Sequence, residues 1–360
     1  MTARRRMPRV PQMPGNCRLL LPEITGHDWW LQVRGVGIGG SEVAALLGIS
    51  PYATAFDVFQ NKVDEHGRPR HQVDGVETEL LDDLMPRTRV VRPELLTDNP
   101  IFEWGHRLEQ TVATKAADEL GLVARTGGGL WQRVDHPVAI VTPDRIATRP
   151  RSWRPVGPIE CKTAAGDEGW ADGSAPLHYQ VQLQWQLGIL GLDRGWLACL
   201  ELSASRNFYL VELKFDAEWF DEMVRTAEIF WSQHVLTGEP PMHDLLHPHT
   251  EQLLREIHPA VVTPSIELPD EAAEWVEAYH AAKADTDAAK KRLDEAKNGI
   301  LLHLGDAGAG YIGDTKAVSY PEVRSSRIDV AKLRESYPEV AEQVTVTSTH
   351  RRLTVRKPAP

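Results

Sequence analysis

Three charged residues have the types and the spacing of a metal-dependent hydrolytic site, namely Asp144, Glu160 and Lys162. Hydrophobic and polar residues alternate over residues 159–163, which predicts a strand. Successive side chains of a strand point to opposite faces, so Glu160 and Lys162 share one face about 6.5 Å apart along the strand. Ile159, Cys161 and Thr163 point to the opposite face, which we expect to face the core. The sequence therefore predicts an acid beside a base, with a second acid sixteen positions earlier.

Such a set suits the hydrolysis of a phosphodiester. Two carboxylates offer the hard oxygen ligands that Mg²⁺ prefers, and Mg²⁺ takes the rest of its shell from waters and phosphate oxygens. The ammonium group of Lys162 can orient or activate the attacking water and offset charge that develops on the phosphoryl oxygens. A Glu-x-Lys pair also occurs on ordinary solvated strand faces, so the surrounding elements must decide between the two interpretations.

The elements around these residues can be predicted from hydrophobic periodicity. An apolar run over residues 138–141 predicts a buried strand that delivers Asp144 at its end. Apolar residues at helical spacing predict a helix from Trp104 to Leu120, with Gly121 at its end. Glu109 lies at the border of that apolar stripe. It either points into the site as an additional metal ligand or is a solvated helix carboxylate.

A glutamine-rich segment follows the Glu160 strand, and its apolar residues predict a helix that runs to Gly191. In a helix Tyr179, Gln182 and Gln186 share one face, whereas Gln180 and Gln184 share another. Gln182 and Gln184 therefore cannot easily reach the same site.

A glycine-rich turn near the start of the chain is a second region of interest. Arg34 precedes the turn at residues 37–40, and Ser41 then leads into a predicted helix over residues 42–48 with Ser41 as N-cap and Gly48 as terminator. Exposed backbone N–H groups beside a fixed cation suit a terminal phosphate. The alternative is a capped helix that simply follows a tight turn.

The rest of the chain predicts further elements and a domain organisation. We expect a flexible basic arm over residues 1–28, a catalytic domain over 29–242, a linker over 243–263 and an extension over 264–360 that is helical and then strand-like. The predicted elements are a helix through residues 56–59, an aperiodic insertion over 64–100, strands over 195–202 and 207–215, a helix from Asp216, a long helix from Pro269 to residue 304, and strand-like pieces around 316–320 and 343–355. His243, His247 and His249 are interpreted as solvated linker side chains rather than metal ligands.

The composition is that of a globular protein with two domains. The 360 residues are 42% hydrophobic and 25% charged, and no stretch approaches the length of a membrane span. Three widely spaced cysteines argue for a reducing cytoplasm and against a disulfide framework, a structural zinc site or a four-cysteine cluster. The formal charge of −11 opposes simple nucleic-acid binding, which depends on phosphate neutralisation.

Taken in order, the motifs over residues 29–242 resemble the YqaJ-type viral recombinase family. That family is similar to phage lambda exonuclease, within the PD-(D/E)XK nuclease superfamily. The matching motifs are Arg34 with the turn at 37–41, Ser50-Pro51-Tyr52, Trp104-Gly105 with Glu109, Pro143-Asp144, Glu160-Cys161-Lys162, Tyr179 with Gln182-Leu183-Gln184, residues 191–194, and Phe230-Trp231 with residues 238–241.

The resemblance implies a fold and a set of residue roles. The fold would be an α/β core with a central mixed sheet flanked by helices, followed by a helical C-terminal extension. It implies that Asp144, Glu160 and the Cys161 backbone carbonyl bind Mg²⁺, that Glu109 lies near a second metal position and that Lys162 acts on the attacking water. It also implies that Gln182 faces the site, that Arg34 and Ser41 hold a 5′-phosphate, and that Tyr179 and Gln184 are additional site residues.

The resemblance also implies an activity. We expect a Mg²⁺-dependent deoxyribonuclease, with one or two metal ions and Mn²⁺ as the alternative metal, that degrades the 5′ strand of double-stranded DNA ends. It would leave a 3′ single strand for a single-strand annealing protein in a bacterial host cytoplasm, as a phage or prophage protein. A ring-shaped homo-oligomer around DNA would reconcile this activity with the negative charge. The alternatives are a structure-selective endonuclease with the same site and a DNA-end-binding scaffold without cleavage.

Overall fold

The computed structural model describes residues 10–22, 34–64, 66–69, 100–166, 169–170, 173–203, 206–346 and 351–356. The chain divides into two units, Met1–Leu253 and Leu254–Pro360. This boundary falls inside the segment that we predicted as a linker. Most of the predicted insertion over residues 64–100 lies outside the described residues.

The strands and helices are numbered in chain order over the described residues. The strands are β1 (Cys17–Pro22), β2 (Val123–Thr126), β3 (Gly129–Arg133), β4 (Ile140–Val141), β5 (Arg145–Thr148), β6 (Pro155–Ala164), β7 (Arg194–Glu201), β8 (Phe208–Lys214), β9 (Ala309–Ile312) and β10 (Thr315–Ser319). The helices are α1 (Gly40–Leu46), α2 (Ala55–Lys62), α3 (Pro100–Leu120), α4 (Leu177–Leu190), α5 (Ala217–Phe230), α6 (Thr250–Ile257), α7 (Glu271–Leu304), α8 (Val330–Ser336) and α9 (Pro338–Gln343).

A five-stranded mixed sheet with the order β2-β5-β6-β7-β8 forms the centre of the first unit. Only the β6–β7 pair is parallel among these strands, and α4 makes the crossover between the two. Helix α3 covers one face of β6 through Val112 and Ala116, which share a buried cluster with Ile159. Helix α4 covers the other face, where Gln182 and Gln186 contact Glu160. The predicted α/β core with a central mixed sheet flanked by helices is confirmed.

A smaller sheet with the order β1-β3-β4 supports the loop before Asp144. Our prediction of a flexible arm is wrong for residues 17–22, because β1 pairs with β3 and buries Leu20 and Leu21. The apolar run that we expected to deliver Asp144 is a strand only at Ile140–Val141. The chain then crosses to the main sheet, and Asp144 directly precedes β5.

The glycine-rich turn is fixed to this small sheet. Ile38 N donates to the Val138 carbonyl at 2.7 Å, and Ile140 N donates to the Ile38 carbonyl at 3.1 Å. A Cβ on Gly37 would lie 2.5 Å from the Val138 carbonyl oxygen, so only glycine allows this approach. The turn that carries Arg34 and the strand that leads to Asp144 are therefore joined by backbone hydrogen bonds.

Helix α1 begins two residues earlier than we predicted. Gly39 is the N-cap, and its N–H donates to Glu42 Oε2 at 2.7 Å. Ser41 is not the N-cap because it lies in the first turn, where its hydroxyl accepts from Arg34 Nη2 at 2.9 Å. Gly48 follows the helix in the left-handed region with a φ of 70°.

Most of the later boundaries follow the sequence patterns. Helix α4 ends at Leu190 with Gly191 in the left-handed conformation, and Asp216 caps α5 through a hydrogen bond from Trp219 N. The long helix begins after Asp270, as predicted. The strand-like piece predicted over residues 343–355 is wrong where the structure describes it, because α9 ends at Gln343 and residues 344–346 and 351–356 form no strand.

The linker histidines are not solvated, which corrects our prediction. His247 is buried and its Nε2 donates to the Ser50 carbonyl at 2.5 Å. The His243 ring lies 4.1 Å from the Phe56 ring, measured between centroids. His249 Nε2 lies 3.5 Å from Asp57 Oδ1, so this segment packs against α2 and the residues before it.

Among the described residues, no helix is long and apolar enough to cross a membrane.

Candidate active site

Strand β6 separates an apolar layer from a polar one. On the α3 side, Ile159 is fully buried and Cys161 packs against the same cluster. On the α4 side lie Glu160 and Lys162, with Lys162 Nζ 2.6 Å from Glu160 Oε1. The predicted alternation is therefore present, and the acid and the base face a helix rather than open solvent.

A backbone N–H group of β6 holds the side chain of Asp144 beside this strand. Cys161 N donates to Asp144 Oδ2 at 2.8 Å, which fixes the carboxylate at the point where β5 begins beside β6. Burial raises the pKa of Asp144 well above its usual range, and the nearby Glu160 charge raises it further. Asp144 and Glu160 therefore bring two acidic groups to the single ammonium group of Lys162.

Glu160 is almost completely buried, with 2% of its surface exposed, and both of its oxygens are held. Gln182 Nε2 donates to Oε1, and Gln186 Nε2 donates to Oε2 at 2.5 Å. Two glutamines spaced four residues apart on α4 thus fix the carboxylate from one helix face. The shared face of Gln182 and Gln186 was predicted from the sequence, but the role of Gln186 was not.

Lys162 has two further contacts. Its Nζ donates to Gln182 Oε1 at 3.1 Å and lies 4.8 Å from the centroid of the Tyr179 ring. Burial alone would lower the pKa of Lys162, but the Glu160 and Asp144 carboxylates outweigh burial and raise it. Lys162 is therefore an ammonium ion at neutral pH, held by an acid, an amide and an aromatic face.

Glu109 lies beside the cluster and is held by a residue that the sequence analysis missed. Arg145 Nη1 donates both to Glu109 Oε1 and, at 2.6 Å, to the Asp144 carbonyl. Arg145 Nη2 donates to Gln110 Oε1 at 3.1 Å. Arg145 thereby joins α3 to the start of β5. Its position next to Asp144 was the signal that could have identified it.

The remaining predicted residues of the cluster divide into two groups. Tyr179 covers Lys162 and lies with its hydroxyl 3.5 Å from that of Tyr52. Gln184 lies elsewhere, because its amide donates to the Lys214 carbonyl at 2.6 Å and accepts from Asp216 N at 3.0 Å. Gln184 therefore joins α4 to the β8–α5 connection, and the structure does not bring it to the cluster.

A second polar cluster surrounds the glycine-rich turn. Arg34 and Ser41 are hydrogen-bonded to each other, as described above. Beneath them Lys62, which is 2% exposed, forms an ion pair with Glu42 at 2.9 Å and also donates to the Arg34 carbonyl at 3.1 Å. Sequence reasoning missed this pair because Lys62 resembles an ordinary last-turn lysine.

The two clusters contact each other through one residue. A Cβ on Gly40 would lie 2.9 Å from Gln182 Cγ and 3.2 Å from the Gln182 carbonyl oxygen. The first turn of α1 therefore packs directly on the glutamine that contacts Glu160 and Lys162.

Comparison with known proteins finds similar proteins. Residues 29–193 match the family described as the YqaJ-like viral recombinase domain, so this part of the chain is similar to that family. The chain is also 26% identical over 334 residues to the "Uncharacterized protein YqaJ" of Bacillus subtilis (strain 168), an alignment that covers 92% of this chain and 94% of that protein.

Solved structures that resemble the chain are more distant. An alkaline exonuclease, LHK-Exo from Laribacter hongkongensis, is 18% identical with a TM-score of 0.39, covering 64% of this chain and 98% of that one. A phage-related exonuclease from Haemophilus somnus 129PT is 15% identical with a TM-score of 0.34, covering 55% of this chain and 94% of that one.

The donor set of this cluster fits a hard divalent cation. Asp144 and Glu160 supply carboxylate oxygens, which are the ligands that Mg²⁺ prefers. The described residues contain no group of three or more His, Cys, Asp or Glu side chains arranged around one metal position. Two carboxylates leave room for waters and phosphate oxygens, which suits Mg²⁺ better than an all-protein site.

Proposed function

We propose that the chain is a Mg²⁺-dependent DNA exonuclease that degrades the 5′ strand of double-stranded ends and leaves a 3′ single strand for an annealing protein. The observation that carries the proposal is the meeting of Asp144, Glu160 and Lys162 on one polar layer. The match to the recombinase family supports a role in recombination. The two carboxylates beside an ammonium group support hydrolysis of a phosphodiester.

Each residue of the site has a definite task in this proposal. Asp144 and Glu160 would hold Mg²⁺, with the Cys161 carbonyl and Glu109 as further proposed ligands. When bound, Mg²⁺ supplies Lewis-acid stabilisation of charge on the phosphoryl oxygens. Lys162 orients the attacking water and stabilises the developing charge, because its ammonium group is already fixed by Glu160 and Gln182.

Arg34 and Ser41 would hold the 5′-phosphate of the strand being degraded. Their mutual hydrogen bond places a guanidinium and a hydroxyl side by side, which are the donors that a phosphate accepts. The contact between Gly40 and Gln182 supports this assignment, because it brings the start of α1 against a residue that contacts Glu160 and Lys162. A bound end would therefore present its first phosphodiester bonds to the carboxylates.

The negative charge of the chain affects how DNA would be retained. With a formal charge of −11, general electrostatic attraction to phosphates is weak. We propose a ring-like homo-oligomer in which enclosure, rather than bulk charge, keeps the enzyme on its substrate in the bacterial cytoplasm.

The decisive experiment uses a linear duplex with a 5′-phosphate on one strand and a 5′-hydroxyl on the other, beside a closed circle. With Mg²⁺ we expect the phosphorylated strand to be lost first, the circle to survive, and EDTA to stop the reaction. Cutting of the circle would show an endonuclease. Absence of cleavage with both Mg²⁺ and Mn²⁺ would favour a DNA-end-binding scaffold.

A further inference from the structure

A row of aromatic rings runs from the core to the surface beside the proposed active site. At its inner end, the Trp170 ring lies 6.2 Å from the Tyr209 ring and 5.8 Å from the Tyr179 ring, measured between centroids. Trp170 is 2% exposed, so this end of the row is fixed in the core. The His178 ring follows, 4.0 Å from that of Tyr179, and the Tyr52 ring ends the row, 5.5 Å from that of His178.

Tyr52 forms the outer end of the row and is largely exposed. It lies in the loop between α1 and α2, and 65% of its surface is accessible. Its ring meets the His178 ring edge to face, with an angle of 84° between the two planes. An edge-to-face contact uses only part of an aromatic surface, so the rest of the Tyr52 ring remains available for a further contact.

The two rings before Tyr52 hold it near Lys162. Lys162 Nζ lies 4.8 Å from the centroid of the Tyr179 ring, and the Tyr179 hydroxyl lies 3.5 Å from that of Tyr52. The Nε2 atom of His178 is enclosed, and within the described part of the chain it has no hydrogen-bond partner. Burial and the Lys162 charge lower the pKa of His178, so its ring is neutral at neutral pH. His178 therefore supports the row by packing rather than by charge.

We propose that Tyr52 stacks on the base of the 5′-terminal nucleotide of the strand being degraded. A terminal base has one face that no neighbouring base covers, and aromatic side chains stack on bases of any sequence. Because Tyr52 is joined to Lys162 through Tyr179, it lies where the base of a nucleotide near the proposed site of hydrolysis would be. This inference rests on the proposed exonuclease function and adds a base-binding subsite to it.

Stacking on a base also suits an acidic chain. The formal charge of −11 weakens the general attraction to phosphates. Contact between an aromatic ring and a base does not depend on phosphate neutralisation, since every base has an aromatic face. A stacked Tyr52 would therefore hold a DNA end where the overall charge does not.

The test compares an intact duplex with one that lacks the base of the 5′-terminal nucleotide on the phosphorylated strand. The quantity measured is kcat/KM for release of the first nucleotide with Mg²⁺. The variants are Tyr52→Ala, Tyr52→Phe and, as a matched control, Tyr311→Ala, which removes a tyrosine of β9 that is also 65% exposed.

We expect the missing base to lower kcat/KM of the wild type about tenfold, which corresponds to about 1.4 kcal/mol of stacking. Tyr52→Ala should lose the same factor on the intact duplex and almost nothing more on the duplex without the base. Tyr52→Phe keeps the ring, so this variant and Tyr311→Ala should discriminate between the two duplexes as the wild type does.

Three results would overturn the inference. Equal kcat/KM of the wild type on both duplexes would show that the base is not used. An equal loss on both duplexes in Tyr52→Ala would show that Tyr52 acts only through local structure. A loss in Tyr52→Phe as large as that in Tyr52→Ala would show that the hydroxyl acts rather than the ring.

A binding measurement separates this inference from the proposed function. The full chain is mixed in EDTA with a duplex whose 5′-terminal base is 2-aminopurine, a base analogue whose fluorescence falls when it stacks. Quenching by the wild type but not by Tyr52→Ala would support stacking even if the chain cleaves no DNA. Binding of the duplex without quenching would overturn the role of Tyr52, whether or not Mg²⁺ supports cleavage.

Discussion

Two buried Lys–Glu pairs lie in the same unit and have opposite surroundings. The Lys162–Glu160 pair has the Asp144 carboxylate beside it, whereas the Lys62–Glu42 pair has the Arg34 guanidinium beside it. In the proposed function the first pair lies at the metal position and the second lies at the 5′-phosphate. The difference teaches that two similar ion pairs can be given opposite roles by the charge of one neighbouring residue.

The largest expected effect is the loss of cleavage when the Lys162 ammonium group is removed. Lys162→Ala should lower kcat by about 10²- to 10⁴-fold, because it removes the group that acts on the attacking water. Lys115→Ala, which removes an exposed lysine that pairs with Glu119 on α3, serves as the matched control. Cleavage of a linear duplex with Mg²⁺ is the measurement, and near wild-type activity of Lys162→Ala would remove Lys162 from the mechanism.

The next largest effect is expected from changing Gln186, which orients the Glu160 carboxylate. Gln186→Leu should weaken activation by Mg²⁺ about 10- to 100-fold, because Glu160 Oε2 loses the donor that orients it. Gln184→Leu is the matched control, since Gln184 is also buried on α4 but contacts the Lys214 carbonyl instead. A titration of cleavage rate against Mg²⁺ concentration distinguishes the two variants. Equal shifts in both would mean that Gln186 acts only through the stability of α4.

The variant Arg34→Gln tests the proposed role of Arg34 in binding the 5′-phosphate. We expect the preference for 5′-phosphorylated over 5′-hydroxyl ends to fall about tenfold, as for the loss of one charge-assisted hydrogen bond of about 1.5 kcal/mol. The Mg²⁺ dependence should not change, because the described hydrogen bond of the Arg34 side chain goes to Ser41. A shift in Mg²⁺ dependence instead would show that the two clusters do not act separately.

A smaller effect appears in stability rather than in activity. The pKa of Asp144 is raised in the folded chain, so the native state binds this proton more tightly than the unfolded state. The contribution of this bound proton to the free energy of unfolding is therefore fully present below the pKa of Asp144 in the unfolded chain, which is about 3.9. That contribution is lost as pH rises through the raised pKa of the folded chain. At pH 8 in EDTA, Asp144→Asn should raise Tm by a few degrees, at about 2–4 °C for each kcal/mol.

Thermal unfolding at pH 4 and pH 8 provides the control for that prediction. The wild type and Asp144→Asn should differ less at pH 4, where Asp144 is protonated, and Mg²⁺ should raise the Tm of the wild type alone. A lower Tm for Asp144→Asn at both pH values would show that the Asp144 carboxylate stabilises the fold.

The smallest effect is expected from removing residues 264–360. Both clusters lie within Met1–Leu253, so cleavage and the preference for 5′-phosphorylated ends should stay at wild-type values. The same two assays measure this variant. A loss of cleavage would place a catalytic contribution in the extension.

Local sequence patterns predicted the strand and helix faces around Glu160 better than the contacts around Arg34. Alternation around Glu160 and helical spacing around Gln182 are properties of neighbouring residues, so both faces could be predicted. The pairing of Lys62 with Glu42 joins residues twenty positions apart across a loop, and no local pattern reports it. Arg145 and Gln186 had local signals, the first in its position next to Asp144 and the second in the helix face that it shares with Gln182. Their pairing with Glu109 and Glu160 was missed because each hydrogen bond joins two different elements.

The errors near the N-terminus have a different physical cause. An Arg- and Pro-rich composition predicted a flexible arm, but the apolar residues of β1 supply a strand whose backbone partners lie in β3. The N-cap of α1 was misplaced because the sequence offered Ser41, whereas Glu42 caps the helix through Gly39 N and leaves the serine to Arg34.

The contact between Gly40 and Gln182 has a consequence for the fragments that cleavage releases. The start of α1 rests on Gln182 with no space for a Cβ, so the proposed function implies a fixed distance from a held 5′ end to the carboxylates. A fixed distance would select one phosphodiester bond in each cycle. The released nucleotides should then have a single uniform length, and Gly40→Ala, which separates α1 from Gln182, should yield a mixture of lengths.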